Sequence, residues 1–102
     1  LWTHPLIEGG QVFVSVRALA TALGIESVEG YPVAQIGTLA SGDKRVTFKV
    51  GRKKMLVNDT PVVIDAAPLE REGRIYLPVR YVAEAFGWEV TSSADNVTLV
   101  GP

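Results

Sequence analysis

Two stretches of the chain are similar in sequence and lie 63 residues apart. Residues 10–17 read GQVFVSVR and residues 73–80 read GRIYLPVR. Four further positions correspond at the same offset: Ala20, Ala22, Gly24 and Glu26 with Ala83, Ala85, Gly87 and Glu89. Residues that recur in both copies more often build a fold than carry out unique chemistry, so the repeat argues against an enzyme.

Each copy predicts a strand followed by a short amphipathic helix. In the first copy Ser15 is a suitable N-cap and Gly24 a left-handed stop. In the second copy Pro78 occupies the first helical turn and Gly87 is the stop. Apolar residues follow the helical i, i+3, i+4, i+7 spacing in both: Val16, Leu19, Ala20 and Leu23, then Val79, Val82, Ala83 and Phe86.

We therefore expect a single α+β domain over residues 1–102, made of two pseudo-repeats that share one core. Each pseudo-repeat, 7–50 and 70–100, is expected to be a short helix packed against antiparallel strands. Residues 54–64 predict a connecting hairpin with its turn at Asn58-Asp59. The first copy contains a surplus segment around residues 28–39, which the second copy lacks and which we expect to be a loop. Extra loops in repeats often carry function.

Composition excludes several functional classes. The net charge of −1 gives no global preference for nucleic acid or membrane surfaces. The chain has no cysteine, which excludes disulfide scaffolds and thiolate metal sites, and we expect no cofactor. No apolar run reaches the roughly 18 residues that cross a bilayer. The chain begins at Leu1 rather than a start methionine, which suggests a piece of a longer protein.

Arg17 and Arg80 are equivalent residues in the first turns of the two predicted helices, where a cation opposes the helix dipole. A carboxylate partner or backbone carbonyls would explain them as structural residues, and Asp65, Glu72 and Glu84 are the available carboxylates. The alternative is an anion-binding arginine pair. Sequence alone leaves both interpretations open.

Six of the ten basic residues lie within one short segment. One interpretation is a solvated hairpin whose charges discourage edge-to-edge pairing. The other is a docking surface for an anionic wall polymer or an acidic protein face. Nucleic acid comes last among the candidate partners of this segment. The six residues are Lys44, Arg45, Lys49, Arg52, Lys53 and Lys54.

Two tyrosines are further candidates for partner contact. Tyr31 lies in the surplus of the first copy, and Tyr81 lies off the apolar stripe of the second helix, so we expect it to be exposed. Catalytic candidates are weak by comparison. His4 is the only histidine, so it lacks the partners that a metal site or a serine triad needs.

The second half of the chain resembles the copper amine oxidase N-terminal-like domain, or stalk domain. The resemblance lies in VNDTPV (57–62), Pro68, EGRIYLPVR (72–80), AEAFG (83–87) and Glu89-Val90. The first half matches more loosely, with Ser15 in place of the proline and Gln11 in place of the arginine. Family members are extracytoplasmic modules of Gram-positive bacteria, and the domain carries neither the copper nor the quinone of the oxidase.

The resemblance implies a non-catalytic extracytoplasmic stalk or adhesion module that spaces or anchors a neighbouring domain at the cell envelope. A cell-wall glycan or anionic-polymer receptor is the alternative, and a small hydrolase that uses the surplus is a third. The expected partners are the neighbouring domain of the parent chain and a wall polymer or another envelope protein. We expect no nucleic-acid partner and no membrane-spanning segment.

Overall fold

The protein is mostly β-structure. The computed structural model describes residues 6–31, 35–92 and 97–101. This part of the chain is 53% strand and 17% helix and forms three antiparallel sheets. The predicted α+β fold of two helix-plus-strand pseudo-repeats is therefore wrong.

The described residues form eleven strands and two helices. In chain order they are β1 (Leu6–Glu8), β2 (Gln11–Ser15), α1 (Val16–Leu23), β3 (Ser27–Tyr31), β4 (Ile36–Ser41), β5 (Lys44–Lys49), β6 (Lys54–Val57), β7 (Thr60–Val63), β8 (Leu69–Arg71), β9 (Arg74–Pro78), α2 (Val79–Ala85), β10 (Glu89–Ser92) and β11 (Val97–Val100). The sheets have the strand orders β1-β2-β9-β8, β3-β4-β5-β6-β7 and β10-β11.

The four-stranded sheet joins the two similar stretches of sequence directly. The β1–β2 and β8–β9 hairpins have the same register at the 63-residue offset. Their inner strands pair with each other, so Val14 lies opposite its own equivalent, Leu77. Both side chains are fully buried. The sequence similarity thus corresponds to two hairpins, each followed by a helix, around one central strand pair.

The ends of both helices follow from local sequence. The Ser15 hydroxyl accepts a hydrogen bond from the Ala18 N–H at 3.2 Å, and Gly24 ends α1 at φ +67°. These two predictions are confirmed. Pro78 precedes α2 as its N-cap rather than lying in the first turn, and Gly87 follows the helix at φ +85°. Neither helix is long and apolar enough to cross a membrane, and no other helix occurs in the described residues.

The strands that follow each helix differ, which is why the repeat does not extend through the fold. After α1 the chain forms a five-stranded meander, whereas after α2 it forms only the β10–β11 hairpin. The surplus expected to be a loop at 28–39 instead forms most of β3 and β4. Strands β6 and β7 pair as a hairpin with Asn58 and Asp59 both at positive φ, and both strands belong to this meander.

The buried residues form two clusters, so the prediction of one shared core is also wrong. The first cluster surrounds Val14 and Leu77, and Phe48 of the five-stranded sheet belongs to it. The second consists of Val46, Met55 and Ile64, with partly buried residues of α2 and β6–β7 packed against it. Phe86 packs against both clusters and connects them.

Gly37 lies at the junction between the five-stranded sheet and the first cluster. Gly37 of β4 pairs with Phe48 of β5, and the Phe48 ring occupies the space where a Cβ at residue 37 would lie. Its strand neighbour Gly30 pairs with it from β3, but a Cβ at residue 30 meets no atom within 4 Å. A side chain would therefore clash at residue 37 but would have free space at residue 30.

We predict that Gly37→Ala lowers the free energy of unfolding by about 1–3 kcal/mol, because the buried Phe48 ring must move to admit a methyl group. Gly30→Ala is the matched control and should leave stability within about 0.5 kcal/mol of the parent. Urea denaturation of both variants measures the difference. Equal stability of the two variants would contradict the contact.

Candidate functional site

The five-stranded sheet has one buried face and one outer face. On β5, Val46 and Phe48 are buried, while Thr47 is half-buried and Lys49 is exposed on the other side. The register places Lys49 opposite Ile36 of β4. The buried face joins the two clusters, and the outer face is therefore available for contact.

A shallow depression of about 220 Å³ lies on the outer face and brings basic and apolar side chains together. Lys49 and Lys54 flank the β5–β6 turn, and Arg52 lies within it. Phe48 and Met55, whose side chains are buried on the other face of the sheet, also border the depression. We call this surface the basic face and define it by Ile36, Thr47, Lys49, Arg52, Lys54 and Leu56.

Backbone hydrogen bonds fix the turn that carries the basic face. The Gly51 N–H donates to the Pro68 carbonyl at 2.8 Å, and the Arg52 N–H donates to the Lys49 carbonyl at 3.2 Å. Gly51 has φ +83°, which a glycine adopts without strain. The turn is thus held to the rest of the fold, and the positions of its charges are set by the backbone.

The six predicted basic residues do not form one surface. Lys44 and Arg45 lie at the opposite end of β5 from Lys49, about 17 Å and about 14 Å away at the usual rise per residue of a strand. They share a separate depression with the acidic Asp43 and Asp59. The positive charge is therefore concentrated at the β5–β6 end of the sheet.

The match to known families extends over almost the whole chain. The family model for the copper amine oxidase N-terminal domain matches residues 2–100. The chain belongs to this family. No curated protein matches it. The N-terminal domain of copper amine oxidases is a non-catalytic accessory domain.

Tyr81 is less exposed than the sequence predicted. It is half-buried and packs against the cluster of Val46, Met55 and Ile64, so the predicted exposure is wrong. Tyr31 ends β3, where its backbone pairs with Ile36, but its side chain lies outside the described part. His4 also lies outside it.

Arg17 and Arg80 are both exposed. Neither forms an ion pair with a carboxylate in residues 6–31, 35–92 and 97–101, so the expected partners Asp65, Glu72 and Glu84 do not fill that role there. The structural and the anion-binding interpretations both stay predictions. No three histidine, aspartate or glutamate side chains of the described residues converge as a metal-ligand set.

Sequence reasoning missed the ion pair between Arg71 and Glu8. These residues belong to β8 and β1, the two edge strands of the four-stranded sheet, so the sheet coils enough to bring its edges together. The sequence contains one signal for this pair: Glu8 and Arg71 have opposite charges and occupy equivalent positions, 63 residues apart, in the two similar hairpins. Both side chains are about half exposed, so the pair contributes little stability.

Asn58 connects β5 to the β6–β7 turn. Its side-chain Oδ1 accepts a hydrogen bond from the Arg45 N–H at 2.7 Å, and its own N–H donates to the Arg45 carbonyl at 2.8 Å. Asn58 has φ +49°, a conformation that asparagine tolerates better than most residues. The residue therefore both turns the chain and extends the pairing of β5.

We predict that Asn58→Ala lowers the free energy of unfolding by about 1–3 kcal/mol, because it loses a hydrogen bond and strains the left-handed backbone. Asn58→Gly removes the same hydrogen bond without that strain and should be the more stable of the two variants. Thermal or urea denaturation ranks them. An alanine variant as stable as the glycine variant would refute the contribution of backbone strain.

Proposed function

We propose that this domain is an extracytoplasmic stalk or adhesion module, which spaces or anchors a neighbouring domain of its parent protein at the cell envelope. Family membership supports the accessory role. The gathering of Lys49, Arg52 and Lys54 around a partly apolar depression supports a contact surface. This gathering is the observation on which the adhesive part of the proposal rests.

The basic face has the physical properties of a site for an anionic partner. Phe48 pairs with Met55, so the next residues outward, Lys49 and Lys54, are neighbours on adjacent strands. Like charges in this arrangement repel each other, and an anionic partner that binds between the two lysines is attracted to both. Ile36 and Leu56 are half-buried and add apolar area beside the charges.

The second candidate function, a cell-wall glycan or anionic-polymer receptor, uses the same face. In the stalk interpretation the basic face docks on an acidic surface of a neighbouring protein domain. In the receptor interpretation it binds the polymer itself. Both interactions are electrostatic and weaken as salt is added, so the identity of the partner distinguishes them.

We predict that the purified domain co-sediments with Gram-positive cell walls at low salt and is released near 0.5 M salt, where the Debye length falls to about 4 Å. The double variant Lys49→Gln/Lys54→Gln should lose this binding, because it removes the two facing charges. The matched control Lys44→Gln/Arg45→Gln removes the same charge at the other end of β5 and should still bind.

Three other results are informative. Equal losses in both double variants would show that net charge rather than the basic face drives binding. Salt-resistant binding would contradict an electrostatic contact. No sedimentation in either condition would remove the adhesive and receptor functions and leave spacing alone. Fractionation of the source cells tests the location, and a parent protein found in the cytoplasm would contradict the extracytoplasmic assignment.

A further inference from the structure

A cleft of about 530 Å³ lies on the other side of the five-stranded sheet from the basic face. Gly37 and the buried Phe48 form its floor, and Gly30 of β3 borders one side. The start of α1 and Ile75 of β9 border the other side. The volume is within the range of about 300–1,000 Å³ that is usual for small-ligand sites.

The cleft exists because two paired strand residues are glycines. At Gly37 the missing side chain admits the Phe48 ring, and at Gly30 a side chain would extend into open space. Both glycines belong to the surplus segment that the second similar stretch lacks. The segment that distinguishes the two halves of the chain therefore builds a wall of the cleft.

Two arginines, Arg17 and Arg74, line the cleft, together with one acidic residue, Glu29. None of the three forms an ion pair within the described part of the chain. The Ser15 hydroxyl, which also lines the cleft, already accepts the Ala18 N–H. The guanidinium groups are thus the charged donors that remain for a ligand, because the Glu29 side chain alternates with Gly30 and lies beside Thr38 on the other face of the sheet.

The equivalent position in the other half of the chain has a different charge pattern. Arg80 corresponds to Arg17, but Gln11 stands where Arg74 would be. Arg80 does not line the cleft. The two arginines therefore occur together only on the side of the fold that has the glycine-built wall. Arg80 provides a control of the same residue type at an equivalent helix position.

We propose that this cleft binds a small carboxylate whose apolar part lies against Phe48 and Ile75. Guanidinium groups bind carboxylates with strong, geometrically specific hydrogen bonds. The carboxylate can belong to a free organic acid or to the C-terminus of a peptide. This inference concerns a different surface from the basic face and does not rest on its function.

Titration of the isotope-labelled domain with N-acetylphenylalanine, followed by amide NMR shifts, tests the proposal. We expect shifts at Gly30, Gly37 and Gly73, and about tenfold weaker binding of the corresponding carboxamide, which lacks the charge. Arg17→Gln and Arg74→Gln should each weaken binding of the acid by about tenfold. Arg80→Gln, the matched control, should leave it unchanged.

A steric variant tests the site without changing its charge. Gly30→Leu places a side chain in open space, so the domain should keep its fold and its spectrum while binding is lost. The tripeptide alanyl-alanyl-phenylalanine distinguishes the two ligand sources: tighter binding than N-acetylphenylalanine assigns the cleft to peptide C-termini, and equal or weaker binding assigns it to free acids.

Four results would overturn the proposal. The first is that none of the three probes shifts any amide signal, and the second is that the acid and the carboxamide bind equally well. The third is that Arg80→Gln loses as much affinity as Arg17→Gln. The fourth is that the shifts are confined to the basic face. A Gly30→Leu variant that is folded and still binds would also overturn it, because the ligand would then lie elsewhere.

Discussion

The pairing of β2 with β9 is the interaction on which the rest of the structure depends. It places Val14 opposite Leu77 and brings together two hairpins that are distant in the chain. Each of these strands leads directly into a helix, so the same pairing positions α1 and α2 on the first buried cluster. Without it, neither short helix has an apolar surface large enough to be stable in water.

The five-stranded sheet packs against the β2–β9 pair and its helices through its buried face. Its two faces therefore differ in burial and in charge. Phe48 belongs to the first cluster, and Tyr81 and Phe86 of the α2 region pack against the second. The buried face and the start of α1 enclose the arginine-lined cleft. The outer face carries the lysines of the basic face. One sheet thus offers an accessory domain two chemically distinct surfaces.

Sequence predicted the features that depend on local chemistry and missed those that depend on distant packing. Ser15, Gly24 and the Asn58-Asp59 turn are local signals, and the helix ends and the hairpin followed from them. Gly30 and Gly37 disfavour strands by propensity, so the sequence predicts a loop for their segment; in the structure both lie in strands, and the Phe48 ring fills the space beside Gly37. The basic residues are close in sequence, but the length of β5 separates them.

A double-mutant cycle on Val14→Ala and Leu77→Ala tests the central strand pair most directly. Because the two side chains lie opposite each other in the core, their effects on the free energy of unfolding should be non-additive by about 0.5–3 kcal/mol. Val14→Ala combined with Val63→Ala, a change at a residue that is 79% exposed, provides the additive reference. Additive effects of Val14→Ala and Leu77→Ala would contradict the pairing of β2 with β9.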